Sequence, residues 1–384
     1  MKKRKVQDML FNNLRVMMIC LLVTLVSCNN SDPTIREIDS NETPDDEQPE
    51  ENLSGTIRDI TSRELITEMG TGWNLGNSFD VTDEDKTAWG NPLPTKDMID
   101  LVKEMGFGTV RIPVTWYTHQ DETDFEVEPE YMQRVKEVVN YTLKNKMFAI
   151  VNTHHEEDWI KLNDDDADQV RDRLQSLWTQ IATEFKDYGD SLLFETLNEP
   201  RTKGSPNEWN GGTSSERLLL NTYHKTCVDA IRATGGNNSK RHLMISTYGA
   251  STVEAAMSDL VIPNDDPNII ISLHTYFPWA FAGEGNNRWG TDDDRAQLSA
   301  ELERVKVFWL ENANRAVILG EWGAVNANDL RIREQYYEFY ANECAKRGLV
   351  SIVWDDGGNF GLMDRDNNGW VTRSLPEIIV NASL

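Results

Sequence analysis

Two glutamates stand at the polar ends of apolar runs. Glu199 closes 192–199 (LLFETLNE), and Glu321 comes one residue before the end of 315–322 (RAVILGEW). A carboxylate in such a run is costly unless it is used or paired. Two carboxylates in different environments can hold different pKa values, one protonated as an acid and the other ionised as a nucleophile. That pairing is the apparatus of glycosidic bond cleavage. Either glutamate alone could equally be half of a buried salt bridge, with Arg111 as partner. For both together, on separate runs, the salt-bridge reading is weaker.

Stepping along the chain, six further runs share the pattern of an apolar start and a polar end. The strand candidates are 71–77, 109–114, 148–155, 192–199, 242–248, 269–276, 315–322 and 349–355. Their ends carry Asn74, Arg111, His154 and His155, Asn198 and Glu199, Tyr248, His274 and Tyr276, Glu321, and Trp354 with Asp355. Helical periodicity fills the intervals at 129–146, 164–188, 291–312 and 327–347. In 164–188, Val170, Leu174, Leu177, Trp178, Ile181 and Phe185 fall on one face. Pro129 opens one helix and Gly348 closes another. Eight strands alternating with helices or long loops predict an α/β fold, the (β/α)8 TIM barrel, as one catalytic domain over 55–384. The alternative is a doubly wound open sheet, but no G-x-G-x-x-G follows the first strand. In a barrel all eight strand ends meet at one face, so these side chains converge there.

Other groupings suggest less. His154 and His155 are followed by Glu156 and Glu157, but adjacent side chains on a strand point to opposite faces and cannot easily share an ion. No H-E-x-x-H occurs, so metal catalysis is not expected, and hydrogen bonding to sugar hydroxyls suits these histidines better. Asp364 to Gly369 (DRDNNG) opens like a calcium loop, yet its twelfth position is Leu375, so a polar turn is expected. Trp178 and Trp309 lie on apolar helix faces and read as core. Trp89, Trp159, Trp209, Trp279, Trp289 and Trp354 fall in loops or at strand ends, where they could line a sugar-binding groove or simply pack locally.

The chain counts 38 Lys+Arg against 64 Asp+Glu, a net charge of −26. That excludes nucleic acid as a natural partner and disfavours polyanionic substrates; a neutral polysaccharide fits. Residues 2–15 are basic, and 16–26 (VMMICLLVTLV) are apolar but for Thr24. Eleven residues are too few to span a bilayer core of about 30 Å. The segment therefore reads as a secretory signal. LVSC resembles a bacterial lipobox, so residues 1–28 are expected to be a lipoprotein signal with Cys28 lipidated. Residues 29–54, with nine acids and one base, read as an acidic tether. The expectation is an exported lipoprotein at the outer membrane or cell surface, touching the membrane through its anchor only, with a monomeric catalytic domain. The tether is too short to fold as a carbohydrate-binding module, which favours soluble glucans over crystalline cellulose. Cys227 and Cys344 read as small buried hydrophobes rather than a disulfide.

The segments GWNLGN (72–77), VRIPVTW (110–116), VNTHHE (151–156), TLNEPR (196–201), LHTYFPW (273–279), LGEWG (319–323) and VWDDGG (353–358) resemble glycoside hydrolase family 5. GWNLGN with AWGNP (88–92) is most similar to its bacterial endo-β-1,4-glucanase and xyloglucanase subfamily. The resemblance implies a retaining mechanism with Glu199 as acid/base and Glu321 as nucleophile. It implies that Arg111 and Tyr276 bond Glu321 and that Asn198 holds the sugar 2-hydroxyl. It also implies that His154 and His274 line the subsite and that Trp354 stacks beneath it. Asn74, His155 and Trp73 would contact the glycone, with Trp279 a further candidate. It implies no metal and no cofactor. Retention predicts carboxyl groups about 5–5.5 Å apart. The expected activity is an endo-β-1,4-glucanase on cellulose-type or mixed-linkage glucan. Xyloglucan-specific hydrolysis is the alternative, and a β-mannanase or a non-catalytic glycan-binding protein are more distant ones.

Overall fold

The computed structural model describes residues 53–82 and 88–382. The expected signal with Cys28, and the tether up to residue 52, lie outside the described residues. Eight parallel strands close a barrel in chain order, β8 returning to pair with β1. They are β1 (Gly72–Asn74), β2 (Thr109–Ile112), β3 (Phe148–Asn152), β4 (Leu192–Glu195), β5 (Leu243–Ser246), β6 (Ile269–His274), β7 (Val317–Trp322) and β8 (Val350–Val353). The helices are α1 (Ser62–Met69), α2 (Lys96–Met105), α3 (Pro129–Lys144), α4 (Ala167–Glu184), α5 (Ser214–Ala233), α6 (Glu254–Ser258), α7 (Trp279–Ala282), α8 (Asp292–Val305), α9 (Leu330–Arg347) and α10 (Ser374–Ala382). The (β/α)8 expectation holds. No helix among the described residues is long and apolar enough to cross a membrane.

Helix ends follow local chemistry. Thr61, Thr213 and Thr291 each cap a helix in a reciprocal box with Glu64, Glu216 and Asp294. Gly348 closes α9 at φ 65°, as its sequence position suggests. The expected helix 291–312 is α8 followed by a π-helical turn, Lys306–Asn312. The expected polar turn at 364–369 is a short hairpin, Met363–Asp364 against Gly369–Trp370.

The barrel interior has two levels. At the bottom, Ile150, Leu193, Met244, Ile270, Ile318 and Ile352 pack against Leu65, Ile66 and Met69 of α1, which plugs the barrel. Two residues further along the strands, the inward positions become polar: Asn74, Arg111, Asn152, Glu195, Ser246 and Ser272, all fully buried. The period of two that fills the core thus also delivers the polar level above it.

Strand β7 breaks that period. Leu273 pairs with Leu319, but His274 pairs with Glu321, so Gly320 is an extra residue. Two residues of β7 therefore oppose one of β6, a bulge that re-aims the next side chain. Glu321 turns inward, while Trp322 turns out and stacks on Tyr340 of α9 at 4.1 Å. Space at Gly320 is tight: a Cβ there would lie 3.0 Å from His274 Nε2 and 3.1 Å from Ser272 Oγ, so those side chains would have to give way.

The regular strands are shorter than the sequence suggests. His154, His155, Asn198, Glu199, Tyr276 and Trp354 lie beyond the last regular pair of their strands. Their backbones continue in isolated bonds, such as Asn198 N to Thr153 O at 3.0 Å and Trp354 N to Trp322 O at 2.8 Å.

Candidate active site

Arg111 is the hub. Inward on β2 and fully buried, it has only protein atoms for partners. Nε donates to Glu195 Oε2 at 2.8 Å and Nη1 donates to Asn74 Oδ1 at 2.9 Å. Nη1 also donates to Glu321 Oε1 at 2.8 Å, and Nη2 to Asn198 Oδ1 at 2.7 Å. One guanidinium thereby ties β1, β4 and β7 to the loop carrying Asn198 and Glu199.

The other oxygen of Glu321, Oε2, accepts the Tyr276 hydroxyl at 3.0 Å. His274 Nδ1 lies 2.7 Å from Glu199 Oε1 and 3.7 Å from Glu321 Oε2. A carboxylate oxygen of Glu199 and one of Glu321 come within 4.8 Å of each other. So close an approach is compatible with the separation of about 5–5.5 Å between carboxyl groups of retaining enzymes and leaves little space for an inverting water, which needs about 6.5–9.5 Å.

Electrostatics in this cluster are shared. Burial, helped by the neighbouring Glu199 charge, holds the Glu321 carboxyl above its usual value, although His274 and Arg111 pull it down. With hydrogen bonds donated to both its oxygens, the geometry serves the ionised form. Burial opposes charge on His274, but Glu321 and Glu199 outweigh it and hold the imidazole above its usual value. Burial likewise raises Glu199, but the His274 bond and charge outweigh it and the carboxyl falls below its usual range. Glu199 and His274 are thus a proton-sharing pair.

His154 stacks flat on Trp354, ring centroids 5.8 Å apart at 4°. Burial, with the charges of His155 and Arg111, holds His154 well below its usual value, so it is a neutral imidazole. The Trp354 ring fills the space beside Gly76, where a Cβ would lie 2.6 Å from it. A small pocket opens beside Glu199, lined by Thr153, His154, Glu157, Leu197, Asn198, Pro200 and Arg201 among others.

Several sequence expectations need correction. Trp73 is fully buried and donates Nε1 to Asp355 Oδ2 at 2.8 Å, so it cannot face a sugar. Asn74 is also fully buried; its amide serves Gly320 O at 2.8 Å and its oxygen serves Arg111. Asn74 points into the barrel from β1 and Trp73 points outward into the core behind it, and both scaffold the site. Trp289 is core, packed edge-on to Tyr336 at 5.3 Å. Trp159 packs locally, with its N–H on Glu156 and Arg173 4.4 Å over its ring. Trp89, Trp209 and Trp279 are exposed. Cys227 and Cys344 are free and buried.

His154 and His155 are not held on opposite faces as neighbours within a strand would be. Both follow β3 rather than lie in it, and their rings approach to 4.5 Å. Two groups among the described residues bring three candidate ligand atoms within 4.8 Å: Asp80–His154–His155 and Glu199–His274–Glu321. Two of the carboxylates are already engaged. Asp80 accepts from Asn77 N and Ser78 N, and Glu321 from Arg111 and Tyr276.

Sequence reasoning missed Glu195, Arg201 and Glu157. Arg201 Nη1 lies 2.8 Å from Glu157 Oε1 and 3.6 Å from Glu199 Oε2, bracing the acid/base candidate. Glu195 could have been found, since it too is a charge within the apolar run that ends at Glu199.

A closed parallel barrel with a paired carboxylate at its C-terminal mouth, one member held by an arginine and a tyrosine, defines a barrel glycoside hydrolase. The chain belongs to glycosyl hydrolase family 5: the model of the cellulase family (glycosyl hydrolase family 5) matches residues 66–359. Endoglucanase B of Clostridium cellulovorans is 43% identical over 336 residues, covering 84% of this chain and 75% of that protein. The structure of ZgEngAGH5_4 in complex with a cellotriose superposes with TM-score 0.84 at 47% identity, covering 85% of this chain and 100% of that one. A GH5-4 broad specificity endoglucanase from Clostridium acetobutylicum gives TM-score 0.82 at 43% identity, covering 84% of this chain and 100% of that one.

Proposed function

We propose that the protein is an endo-β-1,4-glucanase that cleaves soluble β-glucan chains with retention of anomeric configuration. The observation that carries this reading is the approach of Glu199 and Glu321 to within 4.8 Å, with both Glu321 oxygens held by donors. Glu321 attacks the anomeric carbon while Glu199, drawing on the proton it shares with His274, protonates the departing glycosidic oxygen. The sugar–oxygen bond breaks as the sugar–Glu321 ester forms. Glu199 then takes a proton from water, whose oxygen displaces Glu321. Asn198 and His154 face the ring being cleaved, and Trp354 offers it an aromatic face. His155 stands beside Trp89, on the glycone side of this arrangement. The exposed Trp209 and Trp279 extend the aromatic surface along the mouth. The cellotriose in the related structure supports a β-glucan oligosaccharide as the ligand class.

The test is reducing-sugar release from carboxymethyl cellulose, mixed-linkage glucan, xyloglucan and glucomannan by residues 29–384. The unbranched glucans should be cut fastest, and Glu321→Gln should abolish release while keeping cellotetraose binding by calorimetry. Substantial hydrolysis by that variant would sink the assignment.

The basic and apolar N-terminal segment ending in Cys28 supports a lipid anchor at the outer membrane or cell surface. Metabolic labelling with a fatty acid should mark the wild type and not Cys28→Ala. Labelling of both would overturn the anchor.

A further inference from the structure

Glu195 ends β4 inside the barrel, where it is fully buried and no substrate atom can reach it. Arg111 grips its Oε2 from Nε at 2.8 Å and Nη2 at 2.6 Å. Asn152 Nδ2 adds a bond to Oε2 at 2.9 Å, and the Ser272 hydroxyl donates to Oε1. A buried ion pair contributes little to stability in general, and apolar replacements often do as well. This one has another consequence. Because Glu195 takes Nε and one side of Nη2, the guanidinium cannot turn its fork toward Glu321. Only Nη1 reaches the nucleophile, and it divides its hydrogens between Glu321 and Asn74.

We propose that Glu195 is a positioning residue for the nucleophile. It holds Arg111 so that Glu321 receives one hydrogen bond and part of a positive charge rather than a two-pronged ion pair. A bidentate pair is stronger and fixes the carboxylate plane. It would draw charge from the attacking oxygen and turn it from the sugar. With Arg111 shared, Glu321 stays ionised and aligned between Arg111 at Oε1 and Tyr276 at Oε2. The charged or titratable groups facing Glu321 are Arg111, His274, Tyr276 and Glu199. Those facing Glu195 are Arg111 and the neighbouring His224.

The proposal rests on Glu321 being the nucleophile, and the experiment separates the two. An aryl β-cellotrioside with a dinitrophenyl leaving group needs no acid assistance, so its kcat/KM reports nucleophilic attack. Glu195→Gln keeps the shape and removes the charge. Its kcat/KM should fall about a hundredfold, as misplacement of a reacting group does. The acidic limb of its kcat/KM profile should move to lower pH, because the Arg111 charge then serves Glu321 alone. Glu195→Asp, which keeps the charge, should return that limb to its wild-type position. A merely structural Glu195 would lower Tm and leave both kcat/KM per folded molecule and the limb unchanged, which would overturn the proposal. Should Glu195→Gln not fold, Ser272→Ala removes one donor from Glu195; unaltered kcat/KM there would equally overturn it. Hydrolysis by Glu321→Gln would instead strike the underlying assignment, whatever Glu195 does.

Discussion

Tyr276 donates its hydroxyl to Oε2 of Glu321 at 3.0 Å, the oxygen that Arg111 leaves free. Burial and the charge of Glu321 hold the phenol well above its usual value, so it remains a donor throughout the working range. A hydrogen bond to the ionised form lowers a carboxyl pKa. Tyr276→Phe should therefore raise the Glu321 pKa and, if Glu321 attacks as proposed, move the acidic limb of kcat/KM to higher pH. A bond to a charged group of about 1.5–3 kcal/mol corresponds to a kcat loss of about 10- to 100-fold. A pH–rate profile with an unmoved acidic limb would contradict this role.

Gly320→Ala should lower activity by crowding His274, the partner of Glu199. The added methyl would meet His274 Nε2 at 3.0 Å and Ser272 Oγ at 3.1 Å, both inside a packed barrel. Overpacking of this kind costs about 1–3 kcal/mol. Thermal unfolding should show the loss of stability, and kcat should drop with it because His274 is the group displaced. Wild-type kcat in a well-folded variant would show that β7 adapts freely.

His224 should make stability fall in acid. It is fully buried, with Nε2 donating to Ser246 O and Nδ1 facing Thr196 Oγ1, each at 2.8 Å. Burial lowers its pKa from 6.5 to about 4. The folded state thus binds fewer protons than the unfolded one between these values. The contribution is complete above pH 6.5 and is lost as pH falls toward 4. Full loss amounts to about 3 kcal/mol. Glu156, raised by burial to about 7, acts with opposite sign, favouring the fold as pH drops. Comparing wild type with His224→Gln by chemical denaturation at pH 7 and pH 4.5 isolates the histidine. The variant should lose less stability over that interval, and an equal loss would remove His224 as the cause.

Trp279→Ala tests the aromatic surface. The ring is 58% exposed, so its removal should leave Tm unchanged. Loss of a stacking contact of about 1 kcal/mol should raise KM about fivefold on long glucans, with kcat preserved. An unchanged KM on cellohexaose would place Trp279 outside the groove.

The sequence made the barrel legible because each strand repeats one motif, an apolar start and a polar finish. All eight strands fall inside their expected ranges. Their ends were overextended because polar side chains such as His154 and Glu199 look like strand termini when written in line. They are in fact carried on the first residues of loops. The helix Ser214–Ala233 was missed because His224 and several threonines interrupt its apolar face, although Thr213 and Glu216 form a capping box. Within the site, Glu199, Glu321, Arg111, His274 and Tyr276 come together as the residue types suggested. Trp73 and Asn74 did not reveal their direction, since a three-residue strand gives no alternation from which to read inside and outside. Glu195 was obscured by the glutamate four residues later, which drew the same physical argument to itself.

The extra residue in β7 has a consequence for anyone who would transplant this chemistry. On a regular strand the neighbours of Ile318 alternate, and position 321 would face the helical wall, where Trp322 now meets Tyr337 and Tyr340. The glutamate alone is therefore not a portable part. A designed barrel that borrows this carboxylate must import Gly320 and Glu321 as a unit, together with a facing strand that leaves the glycine's space empty.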